Sequence, residues 1–178
     1  CIDVKPTKIL ELISQGRVPV ITGFQGMSEN GYLTTLGRGG SDTTASILGV
    51  ALKASSIEIY TDVDGIMTAD PRMVESANLI DVISYYEVFQ LADKGATVIH
   101  PKAVEIAMEG NIPILIKNTM NDSKGTLINN FGDKQNERMM TGITSQKNRV
   151  QISIKGCDNE GNVKYKNVLD LAAANKIS

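Results

Sequence analysis

Short strand-like runs alternate with helix-like stretches along most of this chain, and that alternation limits the fold more than any single motif. Residues 57–61 (IEIYT) and 112–117 (IPILIK) are compact apolar runs of strand length. Between them, Ser84-Tyr85-Tyr86-Glu87 is a capping box that predicts a helix stopping at Gly95. Val98-Ile99 predicts a very short strand, and Pro101 opens another helix that Gly110 closes. Upstream, Ala45, Leu48, Ala51 and Leu52 recur at helical spacing. Residues 18–23 (VPVITG) read as a further strand, and 6–15 as a short amphipathic helix ended by Gly16. Asn30-Gly31 signals a hairpin turn with arms at about 25–29 and 32–36. Parallel strands need helical crossovers, so this order predicts an α/β fold with a mainly parallel sheet.

The character changes near residue 142. Residues 121–138 are polar, poor in apolar periodicity, and read as a connector. Residues 150–154 (VQISI) alternate like a half-buried strand, 157–165 read as a polar loop, and 168–174 as a helix. One strand and one helix cannot bury a core. We therefore expect a second domain to begin here and to be cut off. The first residue is Cys1 rather than Met, so the chain is expected to be an internal segment.

Composition removes several classes of function. Net charge is −2 and the basic residues are scattered, which argues against nucleic acid as a partner. No apolar run has membrane-spanning length. His100 is the only histidine, and with Cys1 and Cys157 as the only cysteines a Cys/His zinc site is excluded. Two cysteines make no disulfide framework, which fits a reducing cytoplasm.

Two loops carry the chemistry. Residues 37–42 read Gly-Arg-Gly-Gly-Ser-Asp, between an extended segment and a helix. Adjacent glycines admit a close ligand, Arg38 can clamp a carboxylate or phosphate, and a helix start offers free amides to an anion. The same residues also suit a tight turn, with Ser41 or Asp42 as a helix cap, and the loop alone leaves both readings open. It is neither a Walker loop nor a dinucleotide-binding loop. The second loop follows strand 57–61: Thr61, Asp62, Asp64, Asp70 and Arg72 fall within twelve residues. Ligands of open α/β sheets bind beyond the carboxyl ends of strands, where carboxylates can take ribose hydroxyls or help to hold magnesium. Charged turns also serve solubility. His100, just before Pro101, reads as a structural residue satisfied by a backbone group.

GRGGSD, IEIYTDVDGIMTADPR and GATVIHPKAVEIA, in that order and together with VPVITGFQG, resemble the aspartate kinases of the amino-acid kinase family. The resemblance runs over residues 1–145, and the tail at 142–178 resembles the start of an ACT regulatory domain. It implies an amino-acid-kinase-like three-layer sandwich, here partial, over 1–141. A truncated ACT-like α+β (ferredoxin-like) segment would follow over 142–178. It implies transfer of the γ-phosphoryl group of MgATP to the side-chain carboxylate of L-aspartate. The product, 4-phospho-L-aspartate, feeds lysine, threonine, methionine and diaminopimelate synthesis. By resemblance, Arg38, Gly39, Gly40 and Ser41 bind aspartate, Arg38 through the α-carboxylate, while Asp42 orients the catalytic lysine. Thr61 and Asp62 serve phosphate and ribose, with Asp70 close by; Met67 lies beside adenine or ribose, where many relatives carry an aromatic residue. Arg72 meets phosphate, and Thr97 and Val98 border adenine. No protein metal site is implied. Relatives imply a homo-oligomer and an end-product effector, lysine or threonine.

One departure matters. The family's Lys-Phe-Gly-Gly segment, whose lysine neutralises the transferred phosphoryl group, is not in these residues. Phosphoryl transfer is mostly positioning and charge stabilisation, so the chain alone is expected to be inactive. The alternatives are a non-catalytic nucleotide- or amino-acid-binding module, and a sister kinase acting on glutamate, acetylglutamate or UMP; against the latter, the Arg-Gly-Gly-Ser-Asp loop counts by resemblance.

Overall fold

The computed structural model describes residues 4–95, 98–134, 138–145 and 161–175. The chain divides into two compact units, residues 1–146 and 147–178. In the first, α1 (Thr7–Ser14) precedes an antiparallel hairpin of β1 (Gln25–Met27) and β2 (Leu33–Thr35). Then come α2 (Gly40–Ala51), β3 (Ile57–Thr61), β4 (Val82–Ser84), α3 (Tyr85–Asp93), α4 (Pro101–Gly110), β5 (Ile114–Asn118) and β6 (Thr126–Asn129). In the second unit the described element is α5 (Gly161–Ala174), which starts inside the expected polar loop. The expected strand at 150–154 lies outside the described residues.

The sheet has the order β3-β5-β6-β4. β3 is parallel to β5 and β4 to β6, while β5 and β6 are antiparallel, so the sheet is mostly parallel. Its register aligns one isoleucine from each strand. Ile57 faces Ile114, Ile114 faces Ile128, and Ile128 faces Ile83. Directly paired residues point to the same face of a sheet. This row is buried together with Tyr85 and Val88 of α3 and Ala103, Val104 and Ala107 of α4. Each such isoleucine stabilises the fold by about 1.5–3 kcal/mol through burial. The alternate positions Glu58 and Tyr60 face away and are exposed.

Glycines set the close packing of helix on helix and helix on strand. A Cβ at Gly49 would meet Ile57 Cγ1 at 2.4 Å, and one at Gly110 would meet Val50 Cγ2 at 2.4 Å. The capping box is complete: Ser84 Oγ accepts from Glu87 N, and Glu87 Oε2 accepts from Ser84 N at 2.9 Å.

Four readings need correction. Residues 18–23 form no strand; Val18 and Val20 are 88% and 96% exposed, because an apolar run becomes a strand only beside a partner, and none pairs with it among the described residues. Val98 and Ile99 form a bend, with Ile99 buried as a core side chain. The supposed connector contains β6, and α4 is closed by Asn111 in the left-handed conformation (φ 52°) rather than by Gly110. Residues 142–145 lie in the first unit, where the Ile143 amide donates to the Thr68 carbonyl at 2.8 Å.

Candidate active site

The glycine loop is shaped by steric need. Gly39 precedes α2 with φ 70°, and a Cβ there would lie 2.3 Å from His100 Cγ. A Cβ at Gly40 would lie 2.7 Å from Phe24 Cδ2. No side chain caps α2. The Thr43 and Thr44 hydroxyls donate back to the Gly39 and Gly40 carbonyls, and the amides of Ser41 and Asp42 have no partner among the described residues. The capping reading of Ser41 and Asp42 therefore fails, and the helix start keeps free donors for an anion. Asp42 Oδ2 instead accepts from the His100 amide at 3.3 Å, while His100 Nδ1 accepts from Lys102 N and caps α4. His100 has the structural role expected of it. Arg38 is exposed and forms no ion pair among the described residues.

The acidic loop opens a cleft of about 880 Å³ at the carboxyl end of β3. Six of the predicted nucleotide residues line it: Thr61, Asp62, Met67, Asp70, Arg72 and Val98. Thr97 lies outside the described residues. Asp70 holds Arg72 through both carboxylate oxygens, Oδ1 to Nε at 3.1 Å and Oδ2 to Nη2 at 3.2 Å. The hydrogen bond and the charge of Asp70 raise the Arg72 pKa above its usual value. The guanidinium is thereby oriented while its side chain stays 88% exposed. Asp64 Oδ1 accepts from Asn121 at 2.9 Å and Asn118 at 2.7 Å, which lowers its pKa. That clamp ties the loop after β3 to the loop after β5. No three metal-ligating side chains gather among the described residues.

Packing puts the two loops at one end of the first unit. α2 runs back against β3, with Gly49 near its end packed on Ile57 at the start of the strand. Its other end, at Gly39, therefore lies toward Thr61. α4 runs alongside α2, His100 against Gly39 and Gly110 against Val50. Val98 in the cleft wall is two residues from His100, which touches the glycine loop. Amides and an arginine without partners among the described residues thus share an edge with a cleft of carboxylates and a second, oriented arginine. This arrangement can hold two anionic ligands close together.

The amino acid kinase family matches residues 2–118. The chain belongs to that family. Among its relatives, aspartokinase 1 of Bacillus subtilis is 44% identical over 158 residues, covering 86% of this chain and 39% of that protein. Among solved structures of family members, E. coli aspartokinase III in complex with aspartate and ADP superimposes with a TM-score of 0.66 at 42% identity, over 70% of this chain and 28% of that one. The Clostridium acetobutylicum aspartate kinase gives 0.66 at 42% identity, over 76% and 32%. The chain spans about two fifths of the length of the curated relatives it matches. Both the family and the mostly parallel α/β fold were read from the sequence.

Sequence reasoning missed several cleft residues. Asn118 ends β5, the parallel neighbour of β3, and Asn121 follows it, so a rule that looks at and beyond all adjacent strand ends finds them. Leu91, Gly95 and residues 143–145 carry no local signal.

Proposed function

We propose that the protein carrying this chain is an aspartate kinase. A side-chain carboxylate oxygen of L-aspartate attacks the γ-phosphorus of ATP, the bond to the β,γ-bridging oxygen breaks, and ADP leaves with that electron pair. The reading is carried by one observation: the glycine loop and the acidic cleft open at the same end of β3. Arg38 takes the α-carboxylate of aspartate, with Gly39, Gly40 and the free amides at Ser41 around the substrate. Asp42, fastened to the His100 amide, orients the phosphoryl-neutralising lysine. Thr61, Asp62 and Asp70 serve ribose and phosphates, Arg72 meets a phosphate, and Met67, Thr97 and Val98 border the base. Magnesium fits as an ion carried mainly by the phosphates, since only scattered carboxylates line the cleft. Residues 142–178 are proposed to lead into an ACT regulatory domain that answers to lysine or threonine in a homo-oligomer.

In the full-length protein, Arg38→Ala is expected to raise the aspartate KM by about 10- to 100-fold and to change the ATP KM by less than about threefold. Equal changes in both constants count against the assignment. The 178 residues contain no Lys-Phe-Gly-Gly. By themselves they are expected to give no aspartate-dependent hydroxamate when acyl phosphate is trapped with hydroxylamine, and robust product would refute that role for the missing lysine.

A further inference from the structure

Residues 138–145 lie beyond the family match and in none of the motifs, yet they are bonded to the rest of the first unit at several points. Arg138 Nη2 donates to the Val82 carbonyl at 3.0 Å and lies 3.6 Å from Glu87 Oε1. Thr141 Oγ1 donates to the same carboxylate oxygen. The Ile143 amide donates to the Thr68 carbonyl at 2.8 Å, and Thr144 Oγ1 to the Lys94 carbonyl at 3.0 Å. At Gly142 a Cβ would approach the Thr68 carbonyl oxygen to 2.9 Å, so the strap runs against the 62–72 loop at backbone distance.

Glu87 is the pivot of this arrangement. Its Oε2 accepts from Ser84 N at 2.9 Å and Ser84 Oγ at 2.7 Å, closing the start of α3. Its Oε1 receives the strap through Thr141 and Arg138. One carboxylate thereby fixes a helix start and a remote segment together.

The strap then enters the cleft, where Ile143, Thr144 and Ser145 form part of the lining. Ile143 is an apolar side chain left 64% exposed. The charged members of the lining, Asp62, Asp64, Asp70 and Arg72, all come from the loop after β3, which also supplies Met67, whereas Leu91, Val98 and Ile143 add apolar surface from three other segments. A nucleotide has the same division, with a polyanionic end and a flat apolar base. We infer that residues 141–145 form the base-side wall of the nucleotide site, that Ile143 contacts the purine, and that Glu87 is the positioning residue that holds this wall through Thr141. The inference rests on the nucleotide reading of the cleft.

The test is calorimetric titration of the full-length protein with MgADP, alongside KM values for ATP and aspartate. Ile143→Ala trims an exposed side chain and is expected to weaken MgADP binding by about three- to tenfold. Competition by inorganic triphosphate, which has no base, should be unchanged in that variant. Thr141→Val removes the hydroxyl at equal size and should weaken MgADP by about two- to fivefold with the aspartate KM unaltered, while Thr141→Ser restores affinity. Undiminished MgADP affinity in Ile143→Ala, beside a clear loss in Arg72→Ala, overturns the inference and leaves the nucleotide reading standing. Equal losses for MgADP and triphosphate, or for ADP and aspartate, also overturn it. If the unaltered protein binds no MgADP, the nucleotide reading itself falls and this inference with it. Should Thr141→Val fail to fold, the Ile143→Ala result decides.

Discussion

The glycine loop and the cleft rim meet at one end of the first unit but are held in shape by different forces. Around Gly39 the constraint is steric: a positive φ, a histidine ring in the space a Cβ would fill, and a second glycine against Phe24. Around the cleft the constraint is polar: Asp70 braces Arg72, Asp64 clamps two asparagines, and Glu87 fastens the strap. Steric constraints fail abruptly when one atom is added. Polar ones weaken by degrees, because solvent competes for each bond. Under the proposed function, the first kind suits a loop that reads one compact amino acid, and the second suits a rim that admits a long flexible nucleotide.

The largest effect is expected where the steric constraint is tightest. Gly39→Ala puts a Cβ where φ is 70° and the nearest His100 atom is 2.3 Å away. Left-handed strain and overpacking together should cost about 2–5 kcal/mol, read as a lower urea midpoint with an unchanged slope. Arg38→Ala, one residue earlier but exposed, should leave that midpoint nearly in place. A mild Gly39→Ala would mean that His100 moves aside readily, and the loop would then belong with the polar, adjustable kind.

The same contrast explains how much was legible in the sequence. The glycine loop and the acidic loop are contiguous, so their residue types could be read together, and Thr61 through Arg72 do converge on one cleft. The helices announced themselves through local signals, the Ser84 capping box above all. Strands were harder, since a strand is defined by its neighbour. Residues 82–84 and 126–129 are too short to show alternation, yet Ile83 and Ile128 complete the isoleucine row because the register brings them there. Residues 18–23 have the right composition and no partner among the described residues. The strap was illegible for the same reason: Thr141 reaches Glu87 across 54 positions of chain, and nothing near residue 141 signals that contact.

The smallest effect concerns the polar side and its response to acid. Burial pushes the Glu87 pKa up, but the bonds from Thr141 and Ser84 and the charge of Arg138 outweigh it, and the net shift is downward from 4.5. The folded state therefore favours ionised Glu87 more than the unfolded chain does. That stabilisation is complete above the unfolded value and is lost as pH falls through the lower, folded value. Glu87→Gln is thus expected to melt about 2–6 °C lower at neutral pH, and the gap should narrow steadily below about pH 4.5. A gap that stays constant down to about pH 3 would show that the variant loses only the geometry of the cap. A gap that closes on acidification would instead assign the difference to the charge of Glu87, which is what makes the strap's anchor adjustable where Gly39 is not.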